Sequence, residues 1–200
     1  MGQTIDYYLA PQSPWTYLGH QRLVDLAGEY GASVRVRPMD LGQIFPLSGG
    51  LPLLKRAPQR QAYRLVELKR FSEALALPLT LHPKFFPVAG DDAARLITCI
   101  AQLDGQEAAL ALSGRVLRAV WAGERNIADA ATLAALLAEA GLPPARQAWA
   151  AEPAVHAAYA ANTQAAIDAG VFGSPSYVIG GEIFWGQDRL DFVERKLRAP

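Results

Sequence analysis

The sequence predicts an α/β fold in which both ends of the chain contribute strands to one sheet and a long helical segment is inserted between them. Residues 1–38 have the pattern of a β-α-β unit, and residues 171–200 have the pattern of a β-β-α unit. The intervening residues 39–170 are rich in Ala and Leu at helical spacing. With 200 residues, the chain is long enough for one domain with a sizeable core.

The N-terminal unit begins with an apolar strand over residues 5–9, which leads through a turn into a helix. Ser13 fits the N-cap of this helix, and Pro14 fits its first position, where a missing N–H does no harm. Residues 15–30 then carry apolar side chains at helical spacing, and residues 33–37 alternate as a second strand. The right-handed crossover rule makes the two strands parallel.

The inserted segment is predicted to contain two irregular stretches among helices. Residues 39–58 are interrupted by several Gly and Pro residues and are predicted to form a loop, which at this length is usually functional. Residues 79–90 form the second irregular stretch, where Phe85 and Phe86 stand between prolines and either line a pocket or fill the core. The predicted helices span residues 59–77, 91–103, 105–122, 130–140 and 151–169.

The C-terminal unit is predicted to be a hairpin followed by a helix. Residues 176–179 and 182–185 have strand patterns, and Gly180-Gly181 between them is a strong hairpin turn signal. A helix with inward apolar residues is predicted from Asp188 onward.

A β-α-β start and a β-β-α end, in this order, are the layout of a thioredoxin-like fold, here with residues 39–170 as an all-helical insertion. In this layout Pro175 occupies the place of a cis-proline beside the N-terminus of the first helix. A cis-proline exposes the backbone of the preceding residue, here Ser174, so that a peptide can pair with it as a short strand. Ser13 and Ser174 are therefore predicted to face each other.

Composition excludes several classes of function. Lys and Arg together number 19, as do Asp and Glu, and no basic cluster indicates a nucleic-acid or anionic membrane partner. No apolar run is long enough to span a bilayer, and the first residues lack a signal-peptide pattern, so we expect a cytoplasmic protein. The single cysteine, Cys99, excludes an internal disulfide and is predicted to be a buried hydrophobe. No metal site is predicted.

Ser13 has two interpretations. It is a helix cap only, or its hydroxyl also donates a hydrogen bond to an anion, including a thiolate, at the positive end of the helix dipole. Ser13 as a nucleophile is disfavoured because a serine alkoxide needs a base and no histidine is placed to be one. His20, further along the same helix, is predicted to have a surface or packing role.

Three motifs make the chain similar to a known family, the 2-hydroxychromene-2-carboxylate isomerases. These proteins are relatives of kappa-class glutathione transferases and, more distantly, of DsbA-type disulfide oxidoreductases. The resemblance covers the whole chain. The motifs that carry it are Ser13-Pro14-Trp15-x-Tyr17-Leu18-Gly19, Gly170-Val171-Phe172-Gly173-x-Pro175 and Phe184-Trp185-Gly186-Gln187-Asp188-Arg189-Leu190.

The resemblance implies glutathione as the cofactor. Ser13 stands where the oxidoreductases keep the first cysteine of Cys-x-x-Cys, and Thr16 stands where they keep the second. The resemblance makes Ser13 the catalytic residue, which donates a hydrogen bond to the glutathione thiolate. It also assigns the rest of the glutathione site to Ser174 and Pro175, beside the cysteinyl part, and to Trp185, Gly186, Gln187 and Asp188, around the γ-glutamyl end.

The implied reaction is the reversible isomerisation of 2-hydroxychromene-2-carboxylate to trans-o-hydroxybenzylidenepyruvate, or of a related small aromatic substrate. Trp15, Gly50 and Phe86 are the predicted substrate residues, and a homodimer is expected. The chain departs from the family where relatives often carry a Lys and an Asn, since it has Pro46 and Gly50 there. The alternatives are a kappa-like glutathione S-transferase and a DsbA-family protein without redox activity.

Overall fold

The computed structural model of the chain describes residues 2–198, so Met1 and residues 199–200 of the predicted thioredoxin-like segments lie outside the described residues. Its strands are β1 (Thr4–Leu9), β2 (Ser33–Pro38), β3 (Ser176–Ile179) and β4 (Glu182–Trp185). Its helices are α1 (Pro14–Glu29), α2 (Leu41–Ser48), α3 (Pro58–Ala74), α4 (Asp91–Leu103), α5 (Gln106–Trp121), α6 (Ala130–Glu139), α7 (Arg146–Trp149), α8 (Pro153–Asp168) and α9 (Leu190–Arg198). Short 3₁₀ turns occupy Leu53–Lys55 and Gln187–Arg189.

The four described strands form one sheet in the order β2-β1-β3-β4, which confirms the predicted thioredoxin-like fold. β1 pairs in parallel with β2, from Thr4 opposite Ser33, and pairs antiparallel with β3 on its other side. β3 and β4 form the predicted hairpin. Gly180 and Gly181 connect them with φ values of +57° and +84°, the left-handed pair that a type I′ turn requires. Both ends of the chain thus meet at the centre of the sheet.

The prediction of a loop over residues 39–58 is wrong in part, because residues 41–48 form α2. Asp40 caps this helix by accepting a hydrogen bond from the Gly42 amide at 2.7 Å, and Gly49 ends it. Pro46 lies inside the helix and removes one hydrogen bond. Ile44 is buried instead in a cluster with Val178 of β3 and Ala166 of α8, and this burial stabilises the helix. The Gly and Pro residues therefore led to the prediction of a loop, although tertiary packing stabilises a helix there.

The inserted helices and the sheet share one hydrophobic core. Strand β1, helix α1 and the insertion helices α3 to α6 all contribute to the same buried cluster. Tyr17 on α1 donates its hydroxyl to the Pro78 carbonyl at 2.6 Å, and Trp121 at the end of α5 donates its indole N–H to the Gln12 carbonyl at 3.3 Å. The insertion therefore packs directly against the turn that precedes α1.

Gly19 in the first motif permits the close approach of α1 to the C-terminal turn. A Cβ atom at this position would lie 2.8 Å from both the Gln187 Cβ and the Tyr177 hydroxyl, which is closer than van der Waals contact allows. The glycine thus positions the Trp185–Asp188 turn beside the start of α1. Two motifs far apart in sequence are joined by this contact.

Candidate active site

Ser13 lies where β1 ends and α1 begins, as predicted. Its hydroxyl Oγ accepts a hydrogen bond from the Thr16 amide at 3.2 Å, so it is the N-cap of α1. The same hydroxyl donates to the Ser174 carbonyl at 3.3 Å. That second bond is long for an O–H···O hydrogen bond, whose usual length is about 2.7–2.8 Å. The single hydroxyl proton can therefore be redirected at little cost to a stronger acceptor, such as an anion.

The Ser174-Pro175 peptide bond is cis, as predicted, and faces Ser13 across the top of the sheet. The Ser174 side chain is fixed from two sides, because its Oγ accepts from the Ala10 amide at 2.8 Å and pairs with the Thr16 hydroxyl at 2.8 Å. Within residues 2–198, the Ser174 N–H has no hydrogen-bond partner. A ligand with an extended backbone therefore finds a donor and a carbonyl presented by one rigid residue.

Neither position of the Cys-x-x-Cys motif carries sulfur in this chain. Ser13 and Thr16 supply two hydroxyls there, and both contact Ser174. Cys99 lies on α4, fully buried, where burial raises the pKa of its thiol. The prediction of a buried cysteine is confirmed. A thiol at the Ser13 turn has to come from a bound molecule.

The C-terminal turn forms the other wall of this site. Gly186 donates its amide to the Pro175 carbonyl at 2.9 Å, which ties the turn to the cis-proline. The Trp185 ring lies over the backbone of Gly173, packs against Phe172 with the two rings tilted by 59°, and remains 51% exposed. Asp188 is exposed, with its carboxylate 2.9 Å from its neighbour Arg189. Trp185 and Asp188 are therefore accessible to a ligand at the Ser13 turn.

Gln187 differs from its neighbours because its side chain lies inside the protein, only 1% exposed. Its carbonyl and its Oε1 accept from the Arg22 guanidinium at 3.1 and 3.4 Å, which turns the amide toward α1. The Gln187 Nε2 is buried there and has no hydrogen-bond partner within residues 2–198. The ligand-binding role that the resemblance implies for Gln187 stays a prediction. The sequence motif predicted the turn, but a motif does not show which of its side chains point into the protein.

The three predicted substrate residues lie in different parts of the structure. Trp15 packs edge-on against Phe71 of α3 with ring centroids 6.2 Å apart. Phe86 packs on Trp121, with ring centroids 4.7 Å apart, and lines a cavity. Gly50 is covered by the Phe45 ring, since a Cβ there would lie 2.5 Å from that ring. The ring thus fills the space that an Asn side chain would need.

His20 has the packing role that the sequence allowed. Its ring is buried between β1 and α5, where Nδ1 lies 3.2 Å from the Tyr7 hydroxyl and the ring N–H bonds to the Leu110 carbonyl. Burial lowers the pKa of the imidazole to about 4, so it is neutral at pH 7. It lies about 10 Å along the helix axis from Ser13, given the rise of an α-helix, and cannot serve Ser13 as a base.

Neutral His20 makes the fold sensitive to acid. Because the imidazole pKa is near 6.5 in an unfolded chain, the unfolded state binds the proton first, and stability is lost as the pH falls from 6.5 toward 4. Between pH 7 and pH 4.5 we expect the wild type to lose about 2–3 kcal/mol more unfolding free energy than His20→Gln. Urea unfolding at the two pH values measures the difference, and equal losses in both proteins would contradict the assignment.

The sequence interpretation missed Arg64, which lies four and seven residues before Leu68 and Phe71 in the helix predicted over residues 59–77. The structure buries this residue, 9% exposed, beneath the irregular stretch of residues 79–90. Its guanidinium carbon lies 5.2 Å from the Phe86 ring centroid and 5.6 Å from that of Trp121. The available signal was the four-residue spacing of Arg56, Arg60 and Arg64 without an acidic residue between them.

Arg64 lines a cavity of about 290 Å³ together with Leu53, Gln61, Ala62, Leu65, Leu81, His82, Pro83, Phe86 and Pro87. The cavity lies behind the Ser13 turn, because Phe86 packs on Trp121 and Trp121 bonds to Gln12. A larger groove of about 750 Å³ between α1, β2 and α5 contains none of the predicted site residues. Of the two, the smaller cavity is therefore the one whose lining packs toward the Ser13 turn.

No group of three or more His, Cys, Asp or Glu residues within residues 2–198 is arranged to hold a metal ion. None of the described helices combines the length and the apolarity that crossing a membrane requires.

Comparison with known proteins gives the family. A model of the DsbA-like thioredoxin domain matches residues 4–198. A 2-hydroxychromene-2-carboxylate isomerase of Pseudomonas putida is 32% identical over 95% of this chain and 92% of its own length. The enzyme of the same name from Sphingobium xenophagum is 29% identical over 98% of this chain and 99% of its own.

A solved structure agrees with these relatives. A selenomethionine 2-hydroxychromene-2-carboxylate isomerase superposes with a TM-score of 0.80 at 27% identity, covering 97% of this chain and 94% of the other. The likeness spans the sheet and the insertion alike. The chain belongs to the DsbA-like thioredoxin domain family and, within it, to the family of the 2-hydroxychromene-2-carboxylate isomerases.

Proposed function

We propose that the protein is a glutathione-dependent isomerase that interconverts 2-hydroxychromene-2-carboxylate and trans-o-hydroxybenzylidenepyruvate, or a closely related pair of aromatic acids. The observation that carries the proposal is the Ser13 turn: a hydroxyl at a helix N-terminus, opposite the Ser174 backbone, in a chain with no sulfur at that place. The names and similarity of the curated relatives support the reaction.

The residues at the turn fit a thiol tripeptide. The Ser174 N–H, which has no partner within residues 2–198, can pair with the cysteinyl backbone of such a ligand. The exposed Asp188 carboxylate suits the α-ammonium group of a γ-glutamyl residue. The half-exposed Trp185 ring, which is packed on Phe172, offers an apolar wall beside them.

Ser13 and the N-terminus of α1 set the charge state of the bound thiol. The hydroxyl proton of Ser13 would leave the long bond to Ser174 and donate to the thiolate, while its oxygen keeps the cap bond to Thr16. The helix dipole adds to this stabilisation. An ordinary thiol has a pKa of about 8.5, and such surroundings lower it by about one unit or more.

Glutathione, held by Ser13, Ser174 and the N-terminus of α1, would supply a nucleophilic thiolate for reversible addition to the conjugated system of the substrate. The chain would orient the substrate for this addition. Trp15, packed on Phe71, and Phe86, packed on Trp121, offer aromatic rings for that purpose.

Product analysis tests the proposal. With substrate in large excess over glutathione, an isomerase converts all of the substrate and leaves the glutathione free, because the thiol is regenerated in each turnover. A kappa-like transferase consumes one glutathione for each substrate and accumulates a stable conjugate. Turnover at the same rate without glutathione, or accumulation of a conjugate, would contradict the proposed reaction.

A further inference from the structure

Arg64 is a buried cation without a counter-ion. Within residues 2–198 its Nη2 is buried and has no hydrogen-bond partner, and no carboxylate forms an ion pair with the guanidinium. Burial of an unpaired charge costs several kcal/mol in general, so proteins rarely retain one without a use. The pKa of the guanidinium falls only to about 10, so the group keeps its charge at neutral pH.

The neighbouring charges add to this excess instead of offsetting it. Arg56 lies close enough to lower the pKa of Arg64, and Arg60 acts in the same way on Arg56. Arg70, one turn and a half further along α3, is by contrast paired with Glu67 at 2.7 Å. In a chain with balanced formal charge, the start of α3 and the turn before it therefore carry three cations, of which Arg64 lines the cavity.

The cavity is built for an aromatic ligand. Its walls are mostly apolar, from Leu53, Leu65 and Leu81 to the Phe86 ring, which also holds the Arg64 guanidinium by a cation–π contact at 5.2 Å. Its volume of about 290 Å³ is close to the lower end of small-molecule pockets, which run from about 300 to 1,000 Å³. A planar guanidinium binds a carboxylate through two parallel hydrogen bonds.

We propose that Arg64 binds the carboxylate of an aromatic acid in this cavity and thereby selects the substrate, a role that rests on the proposed function. The aromatic ring of the acid lies against Phe86 and the leucines, and Arg56 and Arg60 attract the anion. Glutathione also carries carboxylates, but the apolar walls favour an aromatic acid over a glycine residue. Arg64 would thus supply the positive group that is lost where relatives often carry a Lys and this chain has Pro46.

The test uses trans-cinnamate and its neutral amide as probes, titrated calorimetrically without glutathione. In Arg64→Met we expect the affinity for cinnamate to fall on the order of tenfold to a hundredfold, the usual worth of a hydrogen-bonded charge, and the affinity for the amide to stay the same. Arg70→Met, on the same helix but outside the cavity, is the matched control and should bind cinnamate as the wild type does. Arg64→Lys should bind cinnamate more tightly than Arg64→Met and less tightly than the wild type, because lysine keeps the positive charge but cannot make the two parallel hydrogen bonds of a guanidinium.

Melting temperature separates this role from a structural one. Because methionine removes an unpaired buried charge and fills similar space, Arg64→Met should melt at or above the wild-type temperature. A lower melting temperature with unchanged cinnamate binding would overturn the proposal. The same holds if the wild type prefers the amide or binds neither probe.

A separate glutathione titration distinguishes the two sources of carboxylate and the two proposals. If Arg64→Met loses glutathione affinity and keeps cinnamate affinity, Arg64 serves the tripeptide and the assignment to an aromatic acid is overturned. If the wild type binds cinnamate through Arg64 but does not bind glutathione, the carboxylate site stands and the proposed function fails.

Discussion

We expect Ser13→Ala to bind glutathione, but the thiol of the bound glutathione should be protonated at neutral pH in this variant. A hydrogen bond to a charged acceptor contributes about 1.5–3 kcal/mol, which corresponds to about one to two pKa units for the bound thiol. The rate of isomerisation at pH 7 should therefore fall about tenfold to a hundredfold, and part of it should return as the pH rises toward the new thiol pKa. The ultraviolet absorbance of the thiolate, followed across pH in the complex, measures the shift directly.

The control for Ser13→Ala has to account for the lost helix cap. Asp129 caps α6 by accepting from the Thr132 amide at 3.0 Å, so Asp129→Ala removes a comparable cap far from the site in sequence. Each variant should lose about 1 kcal/mol of unfolding free energy. Only Ser13→Ala should change the thiol pKa. A neutral-pH thiolate that persists in Ser13→Ala would return Ser13 to the role of a cap alone.

Trp121→Ala is expected to have the largest effect on stability. The indole is fully buried at the end of α5, packs against the Phe86 ring, lies beneath Arg64 and donates its N–H to the Gln12 carbonyl at 3.3 Å. Truncation leaves a large cavity at the joint between the insertion and the Ser13 turn, and such changes cost about 3–5 kcal/mol. Urea unfolding gives this difference.

Two further variants separate the contributions to that loss. Trp149, which is 45% exposed on α7, provides the matched surface control, and Trp149→Ala should cost well under half as much. Trp121→Phe keeps most of the ring and removes the N–H, so its cost should lie between those of the two alanine variants. A loss in Trp121→Ala no larger than that in Trp149→Ala would show that this ring does not join the insertion to the site.

Local patterns predicted most of the fold because they depend on neighbours in sequence. The strands at residues 176–179 and 182–185 and the helix at residues 91–103 have the predicted bounds, since alternation and helical periodicity appear directly in the residues. Helix α2 was missed because Pro46 and Gly42 oppose helix locally and the burial of Ile44 decides the outcome. Helix α7 is only four residues long and carries no periodic signal.

The sequence likewise predicted some features of the candidate site and not others. The Ser13 cap, the cis bond before Pro175 and the facing of Ser13 and Ser174 followed from order and residue type, and the structure confirms that geometry. The inward side chain of Gln187 did not follow, because it depends on Arg22 reaching across from α1.

By itself, the sequence determined a thioredoxin-like sheet, a helix that begins at Ser13 and the lack of sulfur at that point. Only the tertiary structure decided that Arg64, which shares a helix face with Leu68 and Phe71, is buried beside Phe86 without a counter-ion among residues 2–198. Whether a side chain is buried and whether its charge is paired depend on contacts with segments that are distant in the chain. The residues 79–90 that cover Arg64 have no repeating pattern, so their path is set by what they pack against.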